Sequence, residues 1–224
     1  MARIATIIGS SGLIGKALLI RCLEDPYYDQ VNILVRRQPD INHPKLKVFM
    51  MDFADEKSYT SGIAGAESVF VAVGTTMKQV KGDKDAYKKV DHDIAVNAAK
   101  VAGEQGVFNY LLVSSVGADA SNNNNFYLKL KGIVEENVAR HSIPQLHIFR
   151  PSLLLGKREE KRLGEGIAQF LAPVFGSLLF GKFSKYKPIK SETVAMAMLA
   201  ASKLQQRGIF IHHYPEIIQL ATRA

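Results

Sequence analysis

Residues Ile4–Ile8 form a short apolar run that passes directly into Gly9-Ser10-Ser11-Gly12-Leu13-Ile14-Gly15 and then into an apolar helical pattern reaching Glu24. A strand, a tight glycine turn and a helix in immediate succession leave each glycine a distinct physical task. Gly9 makes the turn, Gly12 lets backbone amides approach a ligand, and Gly15 lets the helix pack closely on the strand. The helix N-terminus that follows offers free N–H donors and partial positive charge, the combination that suits a pyrophosphate. The loop Gly9–Gly15 is therefore expected to bind a dinucleotide.

The second apolar run, Val31–Val35, ends in Arg36-Arg37. Chains that prefer NAD place an acidic residue here to accept from the ribose 2′-hydroxyl. An arginine pair cannot accept, but it can form charge-assisted hydrogen bonds to a 2′-phosphate. NADPH (NADP) is the expected cofactor, with Ser10 and Ser11 contributing hydroxyls from the facing loop. Asp52-Phe53 after the third run and Val73-Gly74-Thr75 after the fourth occupy further strand ends that would border the same ligand, and Arg150-Pro151 follows the sixth.

The first half of the chain alternates short apolar runs with helical patterns, the signature of βαβ units and a parallel sheet. Strands are predicted at Ile4–Ile8, Val31–Val35, Lys47–Met51, Ser68–Val73, Asn109–Val113 and Leu146–Phe149, and helices at Leu13–Glu24, Asp55–Ile63, Asp85–Glu104 and Asn125–Arg140. Pro39, Asn42 and Pro44 shorten the second crossover to a loop. The expected fold is α/β: a doubly wound parallel sheet of Rossmann type, strand order 3-2-1-4-5-6, with room for a seventh strand near Gly208–Ile211 and a helix near Glu192–Leu204. Residues 1–224 read as one NAD(P)-binding domain, and 151–190 as a small substrate-binding or lid segment within it. The tract Asn122–Asn125 suits an exposed loop and little else.

The 224 residues, 47% of them hydrophobic, suffice for one large core. Net charge of +8 fits nucleic acid, membrane surface or phosphorylated ligands alike and chooses none of them. No aromatic-and-basic motif supports nucleic-acid binding. The apolar stretch Gly166–Gly181 is short for a membrane span and is interrupted by Pro173 and Gly176. The opening MARIATIIGS lacks the apolar core of a secretory leader, which places the protein in the cytoplasm. A single cysteine, Cys22, excludes an internal disulfide, and six histidines without metal-ligand spacing give no metal site.

The fifth strand ends in Ser114-Ser115, and the next helix carries Tyr127 and Lys131. An i, i+4 pair shares one helix face, so the phenol and the ammonium can point at one ligand beside the strand end. A Tyr-x-x-x-Lys match is weak alone, and Tyr186/Lys190 is another, but only Tyr127 has a serine-tipped strand behind it and a full helix ahead.

Here the sequence resembles the short-chain dehydrogenase/reductase superfamily, and more narrowly its atypical branch similar to Tat-interactive-protein oxidoreductases. The resemblance rests on IIGSSGLIG, VAVGTT, YKKVDHD, LLVSSVGADASNNNNFYLKLKGIVE and FRPSLLLG in colinear order. It implies that Tyr127 exchanges a proton with the substrate oxygen while hydride moves to or from the nicotinamide. It also implies that Lys131 tunes the phenol and helps hold the nicotinamide ribose, and that Ser115 donates to the same oxygen, with Ser114 a second candidate. Asp91 stands where many members carry an asparagine that supports a proton relay. The apolar residues Phe170, Leu171, Phe175 and Phe180 fit a small lipophilic carbonyl substrate, core packing, or a homodimer contact. Besides a reductase, the same fold can serve as a cofactor-sensing regulator that binds a protein partner; Ser115, Tyr127 and Lys131 together favour the enzyme.

Overall fold

The computed structural model describes residues 2–155 and 181–223. The described elements begin β1 (Ile4–Ile8), α1 (Leu13–Glu24), β2 (Gln30–Val35), β3 (Leu46–Met50), α2 (Ser58–Ile63), β4 (Ser68–Val71) and α3 (Lys84–Lys88). After a π-helical turn at Lys89–Asp93 come α4 (Ile94–Glu104), β5 (Asn109–Val113), α5 (Phe126–Ala139), β6 (Gln145–Phe149) and β7 (Leu154–Leu155). A 3-10 turn at Gly181–Tyr186 leads to β8 (Ile189–Lys190), α6 (Ser191–Ser202), β9 (Gly208–His212) and α7 (Tyr214–Ala221).

Seven strands form one parallel sheet in the order β3-β2-β1-β4-β5-β6-β9, and β7 pairs with β8 beside it. The expected order is thus observed, with Gly208–His212 as the seventh strand, in register with β6 from Gln145↔Gly208 to Phe149↔His212. Both faces are covered, which is why the strands read as nearly continuous apolar runs and not as alternating ones. Ala5, Ile7, Ile33, Phe70, Leu111 and Phe149 pack with residues of α1, α6 and α7. Ile8, Leu34, Val71, Leu112 and Ile148 pack with residues of α2, α4 and α5. Strand order reverses between β1 and β4, with β2 and β3 added on one side and β5 and β6 on the other, so a crevice opens at the carboxyl ends of those two parallel strands, where such sheets bind ligands.

Several local features differ from expectation. The helix predicted over Asp85–Glu104 is interrupted by the π-turn, whose extra residue per turn re-aims the side chains that follow. The asparagine tract is a built start to α5: Asn122 Oδ1 accepts from the amides of Asn124 (3.0 Å) and Asn125 (2.9 Å), and Asn125 Oδ1 accepts from Leu128 N (3.1 Å) as the N-cap. The β7–β8 pair and α7 were not foreseen. Of the segment 151–190 expected to bind substrate, residues 156–180 lie outside the described residues. Among the described residues no helix is long and apolar enough to cross a membrane.

Between β6 and β9 two imidazoles stack with centroids 5.1 Å apart, and His147 Nδ1 lies 2.8 Å from His212 Nε2. Burial pulls both below the ordinary histidine value, each further lowered by a neighbouring imidazole. A neutral histidine in the fold and a protonated one in the unfolded chain mean that the unfolded state binds more protons in acid, so stability falls as pH drops through about 6.5. The urea midpoint should therefore be lower at pH 5 than at pH 7, and His147→Gln should flatten that difference. An unchanged pH dependence in the variant would show that the pair does not carry it.

Candidate active site

Gly9 sits at φ +94°, a conformation that glycine adopts without strain, and a Cβ there would fall 2.7 Å from the Ala72 carbonyl carbon of the strand alongside. A Cβ on Gly15 would fall 2.0 Å from Gly9 O, so α1 enters directly under the loop. Gly12 N donates to Gly9 O at 3.0 Å, and Gly12 is the N-cap of α1 with no side-chain hydrogen bond to the helix. The positive end of α1 is left for an outside acceptor. Ser10, Ile14 and Gly15 are buried, Gly12 and Leu13 half-buried and Ser11 exposed. This cradle fits a dinucleotide pyrophosphate, because its shape depends on three missing side chains and its polar groups are amide donors.

Arg36 and Arg37 are exposed just past β2, and neither forms an ion pair with another described residue. Asp52 Oδ1 accepts from Ala54 N (2.9 Å), and Phe53 O accepts from Tyr59 Oη (3.1 Å). Those two residues shape the turn after β3, with the Asp52 carboxylate turned onto its own backbone. Val73 and Thr75 are half-buried and Gly74 exposed in the turn after β4, at the same edge of the sheet.

Helix α5 brings Tyr127 and Lys131 to one face, with Lys131 Nζ 5.8 Å from the Tyr127 ring centroid. A Cβ on the next residue, Gly132, would fall 2.1 Å from Ala120 N, so the loop running on from Ser114-Ser115 lies flush against this helix. Lys131 Nζ is 3.0 Å from Asp91 Oδ1, with the two side chains 7% and 1% exposed. Asp91 Oδ2 accepts from Thr75 N at 2.7 Å. Burial alone would pull the Lys131 ammonium down, but the Asp91 carboxylate, supported by Tyr127 and Glu135, more than offsets it and holds the group above its ordinary value. Tyr87 closes the cluster: its phenol donates to Thr75 O (3.3 Å), and burial, followed by the Asp91 charge, pushes it well above the ordinary tyrosine value.

The two serines after β5 have different surroundings. Ser114 Oγ donates to Glu135 Oε1, and Arg150 binds both oxygens of the same carboxylate, Nε to Oε1 at 2.9 Å and Nη2 to Oε2. Among the described residues, Ser115 Oγ has only a 3.3 Å contact with Val116 O. Glu135 and Tyr87 were missed in the sequence. Glu135 follows Lys131 by one helical turn and Tyr87 precedes Asp91 by one, a spacing that could have found both. Pro151 is buried, and its carbonyl accepts from Val116 N at 2.9 Å, extending the β5–β6 ladder past the strand ends. Among the described residues no group of histidine, cysteine or acidic side chains could hold a metal ion.

A doubly wound sheet with an amide-lined glycine cradle at its switch point defines a dinucleotide-binding protein of the Rossmann type. Residues 9–160 match the NAD(P)H-binding family. The mitochondrial protein FMP52 of Debaryomyces hansenii is 36% identical over 208 residues, covering 90% of this chain and 89% of that protein. HTATIP2 of Rattus norvegicus is 33% identical over 196 residues, covering 86% of this chain and 78% of that protein. The chain belongs to the NAD(P)H-binding family, in the atypical short-chain dehydrogenase/reductase branch with these relatives.

Solved structures share the fold at low identity. The UDP-N-acetylglucosamine 4-epimerase of Methanobrevibacter ruminantium gives a TM-score of 0.68 at 13% identity, covering 95% of this chain and 76% of that one. The uronate dehydrogenase of Agrobacterium tumefaciens gives 0.65 at 12%, covering 93% and 75%. The cytoplasmic expectation is corrected by the relatives, since FMP52 of Debaryomyces hansenii and of Eremothecium gossypii is named a mitochondrial protein. That expectation tested only for a secretory leader, whereas mitochondrial targeting uses an amphipathic, arginine-rich pattern.

Proposed function

We propose that this protein is an NADPH-dependent reductase of small, lipophilic carbonyl compounds, with Tyr127 as general acid. The observation that carries this reading is the Tyr127–Lys131 pair, one turn apart on α5 at the same sheet edge as the glycine cradle, with the lysine buried and charged. The cradle residues Gly9–Gly15 would hold the pyrophosphate, and Arg36 and Arg37 the 2′-phosphate. The turns Asp52-Phe53 and Val73–Thr75, together with Ser114 and Arg150-Pro151, border the rest of the ligand. When bound, NADPH supplies a hydride to the carbonyl carbon. Tyr127 Oη gives its proton to the carbonyl oxygen, so that one hydride and one proton convert carbonyl to alcohol. Ser115 Oγ donates a hydrogen bond to the same oxygen as charge builds on it. Ser114 is less suited, because its only hydroxyl proton goes to Glu135. Lys131 keeps two further N–H donors for the ribose while one faces Asp91. Residues 151–190 would form the substrate side of a single domain.

The cofactor preference is tested by titration. NADPH should bind the unmutated protein at least tenfold tighter than NADH, and Arg36→Gln/Arg37→Gln should remove most of that difference, since hydrogen bonds to charged groups contribute about 1.5–3 kcal/mol. Equal affinity for the two cofactors in the unmutated protein would rule the 2′-phosphate reading out.

A further inference from the structure

We propose that Asp91 is a positioning residue, whose buried carboxylate balances the Lys131 charge and ties the lysine to the turn after β4. The proposal rests on the reading of Tyr127 and Lys131 given above. Three independent features meet at this carboxylate. The π-turn Lys89–Asp93 carries Asp91 into the interior, where the residue is 2% exposed. Oδ1 faces the ammonium at 3.0 Å and Oδ2 accepts the Thr75 amide at 2.7 Å, so both oxygens are engaged by donors from different elements. A Cβ on Gly74 would lie 3.7 Å from Oδ1, so the turn passes directly over the pair.

Only a carboxylate satisfies this geometry. An asparagine has one acceptor oxygen and one NH2 group, and both partners, the ammonium and the Thr75 amide, are donors. Whichever way an amide were turned, a donor would face a donor. The other acidic group on this side of α5, Glu135, is engaged by Arg150 and Ser114 and cannot replace Asp91. Among the described residues, Tyr87 and Tyr127 are the remaining titratable groups around the lysine. The site thus presents a balanced pair to the nicotinamide and not a lone cation. An oxidised nicotinamide ring is a cation and a reduced one is neutral, so an unbalanced ammonium would select against the oxidised form.

The test compares Asp91→Asn with the unmutated protein by separate titrations of NADPH and NADP+, read as binding and not as turnover. The expected result is a loss of NADP+ affinity at least fivefold greater than the loss of NADPH affinity. Introduced into a Lys131→Met background, where it leaves neither charge, the same substitution should return the ratio to that of the unmutated protein. It should also raise the thermal midpoint there, because it removes a buried carboxylate that has lost its partner. Equal losses for both cofactor forms would overturn charge balance and leave Asp91 a packing residue. If Asp91→Asn does not fold, recovery of folding in Asp91→Asn/Lys131→Met supports the pair, and failure to recover overturns it. If neither cofactor form binds the unmutated protein, the site reading fails. The thermal cycle still decides the pair, with additive midpoints counting against it.

Discussion

If Tyr127 is the general acid, Tyr127→Phe is expected to lower turnover of carbonyl substrates by about 10²–10⁴-fold, the range that a positioned general acid contributes, while NADPH affinity should stay within about twofold. The substitution removes one hydroxyl and keeps the ring whose face lies toward Lys131. The phenol's partner in the reaction is the substrate oxygen, whereas Lys131 is asked to serve both ligand and phenol. Lys131→Met should accordingly weaken cofactor binding as well as turnover. The measurement is NADPH oxidation against a panel of lipophilic aldehydes, ketones and quinones, paired with cofactor titrations on the same proteins. Turnover untouched by Tyr127→Phe would refute the assignment. No turnover with any carbonyl, beside normal NADPH binding and a cofactor-dependent protein partner, would instead favour a sensor.

Glu135→Ala is expected to lower the thermal midpoint by on the order of 10 °C. Glu135 is 7% exposed at its side chain and Arg150 20%, and the pair is bidentate with Ser114 as a third member. Removing one partner of a buried pair costs about 3–5 kcal/mol, because the other charge is left in a poorly solvating interior. For a chain of this size each kcal/mol moves the midpoint by roughly 2–4 °C. Glu135→Gln, which keeps the shape and an acceptor for Ser114, should lose less. A fall of under about 2 °C in Glu135→Ala would mean that Arg150 finds water or another partner without cost.

The sheet and the cofactor loop were legible because their signals are local and redundant. Six of the seven strands of the main sheet are short runs of apolar residues bounded by turns, and the glycine loop sits where a strand must end and a helix begin. The pairing of Tyr127 with Lys131 was legible from helical spacing alone. What escaped depended on contacts between distant segments. Nothing near Asp91 in the sequence announces a π-turn, and nothing near Arg150 announces that Glu135, from another element, will take two of its three side-chain nitrogens. Helix α7 was missed for a different reason: Tyr214-Pro215 is a sound helix start, since proline is tolerated in the first turn, but the helix is short. The asparagine tract shows how composition misleads, since a polar run that reads as a featureless loop proved to be the capping structure that sets where α5 begins.

The face of the sheet that carries Ile7, Phe70, Leu111 and Phe149 is covered in part by α6 and α7, which begin at Ser191 and Tyr214. All the strands of that face except β9 are synthesised long before those helices. On a ribosome that adds about 5–20 residues per second, the nascent sheet therefore waits several seconds with an apolar face only partly shielded by α1. Elements made well after the strands they cover thus close the core. Any shortening that removes them would turn a buried layer into an aggregation surface while leaving the glycine loop, at the opposite end of the sequence, chemically intact.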